Sequence, residues 1–182
     1  ATKKMTAIAW DFIRDETNIY PVVRAMGEIA GNTAVLIAAE YLSHASDGQG
    51  LMFGGISGVK PTEVIILGAG TVAESAARAA LGLGASVKIF DNNTYRLRRI
   101  QNDIGIRLWT SAIQPSELRN AIDTADVVIG AIHSRGGRTP VVVTEEMISN
   151  MKYGSVIVDV SIDQGGCFET SQITTHDKPV FR

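Results

Sequence analysis

Cysteine is almost absent. Cys167 stands alone in 182 residues, so an intrachain disulfide is excluded, and the chain reads as a protein of a reducing compartment, the cytoplasm. An excess of charge is missing too, with 17 Lys and Arg against 19 Asp and Glu. That balance gives no basic face for nucleic acid or an anionic membrane, and neither partner is expected. Gly, Asp or Glu interrupts each long apolar stretch, so no membrane-crossing segment is expected. The first ten residues lack the apolar run and small-residue cleavage site of a secretory signal. Repeats and low-complexity tracts are lacking, and no metal is expected. No initiator Met precedes the strand-like run at 5–10, and the chain stops inside the apolar run 179–182. Both ends therefore read as cut from a longer protein. What remains is ordinary for a soluble globular chain, 45% apolar and 20% charged, and long enough for one full domain plus an extra segment.

Apolar residues recur at helical spacing from Pro21 to Leu42, with Val22, Met26, Ile29, Ala34, Ile37 and Tyr41 among them. Pro21 suits a helix start, where a missing N–H costs least. Loops rich in Gly follow, and a domain boundary is expected between about 44 and 61. From Glu63 onward short strands and helices alternate. Strands are expected at 64–67, 86–90, 106–109, 126–132 and 155–160, and helices at 73–83, 94–103, 116–122 and 144–151. Ser116 and Thr144 are the expected caps of the last two helices. Strands that are apolar throughout are covered on both faces, and their alternation with helices specifies a parallel α/β sheet, doubly wound, with right-handed crossovers.

Residues 68–73 read Gly-Ala-Gly-Thr-Val-Ala, a match to G-x-G-x-x-G/A. The match alone is weak, but here it follows a strand, opens a helix and begins a βαβ unit. Gly68 permits the tight turn, Gly70 lets backbone approach a pyrophosphate, and Ala73 keeps helix close to strand. Thr71 and Val72 present N–H groups at the helix start, where the dipole also favours phosphate. Asp91 ends the next strand about 20 residues on, the place of the carboxylate that accepts ribose hydroxyls and repels a 2′-phosphate. A Rossmann-type domain preferring NAD to NADP is the expectation. Another doubly wound protein with a tight glycine turn is the alternative. Arg96, Arg98 and Arg99 are read as a solvated helix surface, and Glu74 is expected to point away from a ligand.

The runs 55–61 (Gly-Ile-Ser-Gly-Val-Lys-Pro), 64–70 and 155–167, which ends Ile-Asp-Gln-Gly-Gly-Cys, resemble the alanine dehydrogenase and nicotinamide nucleotide transhydrogenase family, on its bacterial L-alanine dehydrogenase side. The strand-like run 6–9 and the run 26–31 resemble that family's crossover segment, so the likeness covers essentially the whole chain. It implies residues 1–45 as the end of a substrate domain with an interdomain helix, and 46–182 as an NAD-binding Rossmann domain cut at its C-terminus. It also implies oxidative deamination of L-alanine to pyruvate and ammonia, an amino-acid substrate, NAD as cofactor, and a homo-oligomer paired through the helix from Pro21. Asp163 takes the catalytic place. Ile129, Gly130, Ala131 and Ile132 take places near the nicotinamide. Gly27 stands where many relatives carry a cofactor-contacting Ser, and residues 133–138 replace an apolar loop with a proline. A transhydrogenase subunit and a non-catalytic NAD-sensing module are the rival readings.

Position alone leaves Asp163 open between catalysis and a turn or cap role. Asp159, inside a strand, reads as structural. His133 reads as a surface residue at a strand end, and Arg135 and Arg138 as solvated loop cations that would otherwise hold a carboxylate or phosphate. Cys167 reads as a small buried thiol, since no base pairs with it.

Overall fold

A computed structural model describes residues 3–134 and 136–182. The sheet is five-stranded and parallel throughout, formed by β1 (Glu63–Leu67), β2 (Ser86–Phe90), β3 (Trp109–Ser111), β4 (Val127–Gly130) and β5 (Val156–Asp159), in the order β3-β2-β1-β4-β5. Helices α1 (Pro21–Leu42), α2 (Thr71–Gly82), α3 (Thr94–Ile104), α4 (Pro115–Thr124) and α5 (Glu145–Ser149) surround it. The two-residue period of β1 separates the layers. Val64 and Ile66 point into the core shared with α1, α2 and α3, and Ile65 and Leu67 into the core under α4 and α5. All four are fully buried, each worth ~1.5–3 kcal/mol of apolar burial.

Strand order runs outward from β1 to β3, then returns across β1 to β4. The crevice between the carboxyl ends of β1 and β4 is therefore the switch point at which open α/β sheets bind ligands.

Helix α1 lies against α2 by means of small residues. A Cβ on Gly31 would collide with the Val72 carbonyl oxygen and come within 2.8 Å of Ser75 Cβ and 2.9 Å of Ala76 N. Ala34, Val35, Ala38 and Leu42 continue that buried stripe, while Val22, Met26, Ile29 and Leu36 stay exposed on the opposite side. Contrary to the sequence expectation, α1 has the length and hydropathy of a membrane-crossing helix, 22 residues at a mean hydropathy of 1.3. Core helices of soluble proteins share that property, and the Gly31 stripe is such a core contact.

Three further expectations are corrected. Residues 5–10 form no strand. Met5, Ile8 and Trp10 are exposed, a 3-10 turn covers Trp10–Phe12, and no strand among the described residues pairs with them; an extended segment without a ladder partner is not a strand. The third strand begins at Trp109 rather than at 106, because Gly105 closes α3 in a left-handed conformation and Gln101 Oε1 takes the Leu108 N–H. Ser116 is not a cap, since Pro115 opens α4 and Gln114 precedes it. Thr144 is one, its side chain accepting the Met147 N–H at 3.3 Å.

Candidate functional site

The turn after β1 is held from three sides. Gly68 N–H donates to the Phe90 carbonyl at 2.7 Å, Ala69 N–H to Asp91 Oδ2 at 2.8 Å, and Arg99 Nη2 to the Ala69 carbonyl at 3.1 Å. Gly68 sits at φ +110°, and a Cβ there would strike the Ala131 carbonyl, whose carbon lies at 2.8 Å. Only glycine lets the chain after β4 pass this closely. Gly70 is different: a Cβ there would meet nothing within 4 Å. It occupies the N-cap position of α2, where no side chain caps the helix, so the first-turn N–H groups beside Thr71 and Val72 face open space. This cradle, with the helix dipole behind it, fits an anionic pyrophosphate.

Asp91 is buried at the end of β2, and both its oxygens already accept backbone N–H groups, Ala69 at 2.8 Å and Asn93 at 2.7 Å. Each oxygen keeps a second lone pair. Glu74 turns to Arg78 at 3.0 Å and Arg99 at 4.0 Å. The expectation of a merely solvated α3 surface is thus incomplete: Arg99 braces the glycine turn, and Arg96 Nη1 stands 3.9 Å from Asp91 Oδ2. Helical spacing did bring 96 and 99 onto one face, but sequence carries no sign that this face meets the turn.

The residues assigned to the nicotinamide end divide. Ile129 is fully buried in the core beside α1 and α2, paired between Ile66 and Val158. Gly130 is a packing glycine, since a Cβ would lie 2.6 Å from both Asp159 Oδ1 and Cys167 Sγ. Ala131 lies against Gly68, and Ile132 is half-buried beyond it.

Asp163 stands exposed in the 3-10 turn Val160–Gln164, with no hydrogen bond or ion pair to its carboxylate among the described residues. The segment carrying it is tied down. Asp159 accepts from Ser161 N–H at 3.0 Å, Cys167 N–H at 2.9 Å and Ser171 Oγ at 2.5 Å. Asp159 is therefore a structural clamp, as its strand position suggested. Cys167 is fully buried; burial first, then the Asp159 charge, pushes its thiol up, which removes it as a nucleophile at neutral pH. His133 is exposed, Arg138 crosses Gly165, and Arg135 lies outside the described residues. Gly27 faces the start of α2, with Thr71 Cγ2 and Val72 Cγ2 at 3.5 Å from where a Cβ would sit. Among the described residues no group of three or more His, Cys, Asp or Glu is placed to hold a metal. Two surface hollows, lined by Arg98, Gln101, Asn102 and Arg107 or by Trp109 and Thr110, share no residue with the glycine turn.

Comparison with known proteins agrees with this fold. The family model "Alanine dehydrogenase/PNT, C-terminal domain" matches residues 34–182. An alanine dehydrogenase of Mycolicibacterium smegmatis is 42% identical over 177 residues, covering 97% of this chain and 48% of the relative. One from Mycobacterium tuberculosis is 39% identical over 176 residues, covering 97% and 47%. A solved L-alanine dehydrogenase superposes with a TM-score of 0.91 at 39% identity, over 96% of this chain and 48% of that one. A transhydrogenase from Sinorhizobium meliloti gives 0.67 at 28% identity, over 83% and 43%. The chain thus spans about half the length of the curated relatives it matches. It belongs to the alanine dehydrogenase/PNT C-terminal domain family.

Proposed function

We propose that this chain is the NAD-binding half of an amino-acid dehydrogenase, and that the protein containing it oxidatively deaminates L-alanine to pyruvate and ammonia. The observation that carries the reading is Gly70, whose missing side chain leaves open space at the uncapped start of α2, beside the turn that Asp91 holds. A pyrophosphate suits the free N–H groups there, and the spare lone pairs of Asp91 suit ribose hydroxyls but oppose a 2′-phosphate.

NAD, when bound, would supply the hydride acceptor for oxidation at the substrate Cα. The protein's own contribution is placement and proton handling. The chain just after β4, at Ala131 and Ile132, lies beside the glycine turn. Asp163 offers a solvent-facing carboxylate past the end of β5. There it stabilises positive charge at the substrate nitrogen and takes a proton from the water that attacks the iminium carbon. That attack breaks down to the keto acid and releases ammonia.

Residues 1–45 are assigned to the end of a substrate domain and its linking helix, and 46–182 to the NAD domain, with α1 serving both through opposite faces. The exposed stripe Val22, Met26, Ile29 and Leu36 supports self-association, and the lone buried thiol is compatible with the cytoplasm. The test combines NADH and NADPH affinities by calorimetry with L-alanine-dependent NADH formation by the full-length protein. Tighter NADH binding and turnover are expected. Tighter NADPH binding overturns the cofactor assignment, and no turnover with alanine overturns the substrate.

A further inference from the structure

Two stretches border the crevice on the β4 and β5 side: residues 131–134 with 136–139, and the turn that carries Asp163. One side chain joins them. Ser134 N–H donates to Gln164 Oε1 at 3.0 Å, and Gln164 Nε2 donates back to the Ser134 carbonyl at 3.2 Å. The Gln164 carbonyl accepts the Thr139 N–H at 2.8 Å, and Thr139 Oγ1 lies 3.5 Å from Oε1. Gln164 therefore grips the neighbouring loop at two points, residues 134 and 139. His133 and Gly136 are exposed and contribute little burial at this junction, whereas Thr139 is buried. Satisfying both backbone groups of one residue needs a side chain with a donor and an acceptor side by side, which an amide has. Gly165, at φ +94°, then turns the chain under the Arg138 side chain.

We infer that Gln164 is a positioning residue, fixing the carboxylate of the adjacent Asp163 relative to the loop that follows β4. The inference rests on the catalytic reading of Asp163 given above. Misplacement of a reacting group by about 1 Å costs up to ~10²-fold in rate.

The experiment uses the full-length protein with Gln164→Ala and Gln164→Glu. Amide exchange should show Ser134 losing protection in Gln164→Ala, while Thr139, bonded to a backbone carbonyl, keeps most of its own. Turnover should fall by ~10–100-fold, with NADH affinity changed far less because Gly70, α2 and Asp91 are untouched. In Gln164→Glu an ionised carboxylate faces the Ser134 carbonyl, whereas the protonated acid restores a donor. The turnover of this variant relative to the unmodified protein should rise as pH falls toward the ordinary Glu range, ~4.3; the same ratio for Gln164→Ala should stay flat. A purely architectural role would give no such rescue. Unchanged protection at Ser134, unchanged turnover of Gln164→Ala, or a flat ratio for Gln164→Glu overturns the inference. If the unmodified protein turns over no alanine, the proposed function falls, and exchange at Ser134 alone then decides whether Gln164 joins the loops.

Discussion

Asp91 accepts from the backbone twice, at Ala69 and Asn93, before any ligand is considered. It therefore shapes the glycine turn, in addition to the cofactor discrimination that the proposed function gives it. Hydrogen bonds to charged groups are worth ~1.5–3 kcal/mol, so Asp91→Ala should weaken NADH binding about tenfold or more. NADPH binding should fall less, because the same substitution removes repulsion of the 2′-phosphate and frees Arg96, now 3.9 Å away. Calorimetric titration with both nucleotides checks this, and an equal loss for each would contradict it. Asp163 has the opposite character, exposed and without a partner to its carboxylate among the described residues. In the full-length protein Asp163→Asn keeps the size but loses charge and basicity, so kcat should drop by ~10²–10⁴-fold. NADH affinity, read by fluorescence, should hold. A near-normal kcat would reduce Asp163 to a turn residue.

At the scale of elements, α1 contains a contrast within one helix. Gly→Ala in a helix interior ordinarily gains up to ~1 kcal/mol. At Gly27 the new methyl would meet Thr71 and Val72 at 3.5 Å, ordinary contact, so Gly27→Ala should stabilise. At Gly31 it would drive into the Val72 carbonyl and the α2 backbone, and overpacking at ~1–3 kcal/mol outweighs the propensity gain. Urea unfolding of the two variants should move in opposite directions; movement in the same direction would mean the α1–α2 contact is looser than described. The parts of the fold that could be read from sequence are those whose signal is local. The runs at 64–67 and 86–90, the glycine turn and the Thr144 cap each carry their own pattern. The strand-like run 5–10 has no partner strand among the described residues, and pairing is a property of two segments. The family resemblance puts Ile129 near the nicotinamide, but nothing local to the sequence says which way its side chain points, and it points into the core. Gln164 and Arg99 escaped for a related reason, since their partners lie 30 positions away, at Ser134 and Ala69.

For the molecule as a whole, the sheet supplies one side of a crevice. The glycine turn, Asp91, the chain after β4 and the Asp163 turn all lie beyond the carboxyl ends of the strands. In the proposed function nucleotide binding draws mainly on the first two, which are internal to the sheet and its helices. Oxidation of an amino acid asks for more, because the substrate Cα must be held face to face with the nicotinamide while its carboxylate is gripped. Such orientation supplies roughly 7–11 kcal/mol of a barrier when fully realised. Among the described residues the cations nearest the glycine turn, Arg96 and Arg99, are engaged with Asp91, Ala69 and Glu74, so none of these is free to grip a substrate carboxylate. The 182-residue chain by itself should therefore bind NADH yet reduce no NAD with L-alanine, whereas the full-length protein should do both. Fluorescence titration of the chain and an absorbance assay with alanine and NAD, run on the same preparation, separate the two properties. Appreciable turnover by the chain alone would mean that the whole active site lies within these residues, and that the carboxylate-binding group is one of the exposed cations near the Asp163 turn, with Arg138 the first to substitute.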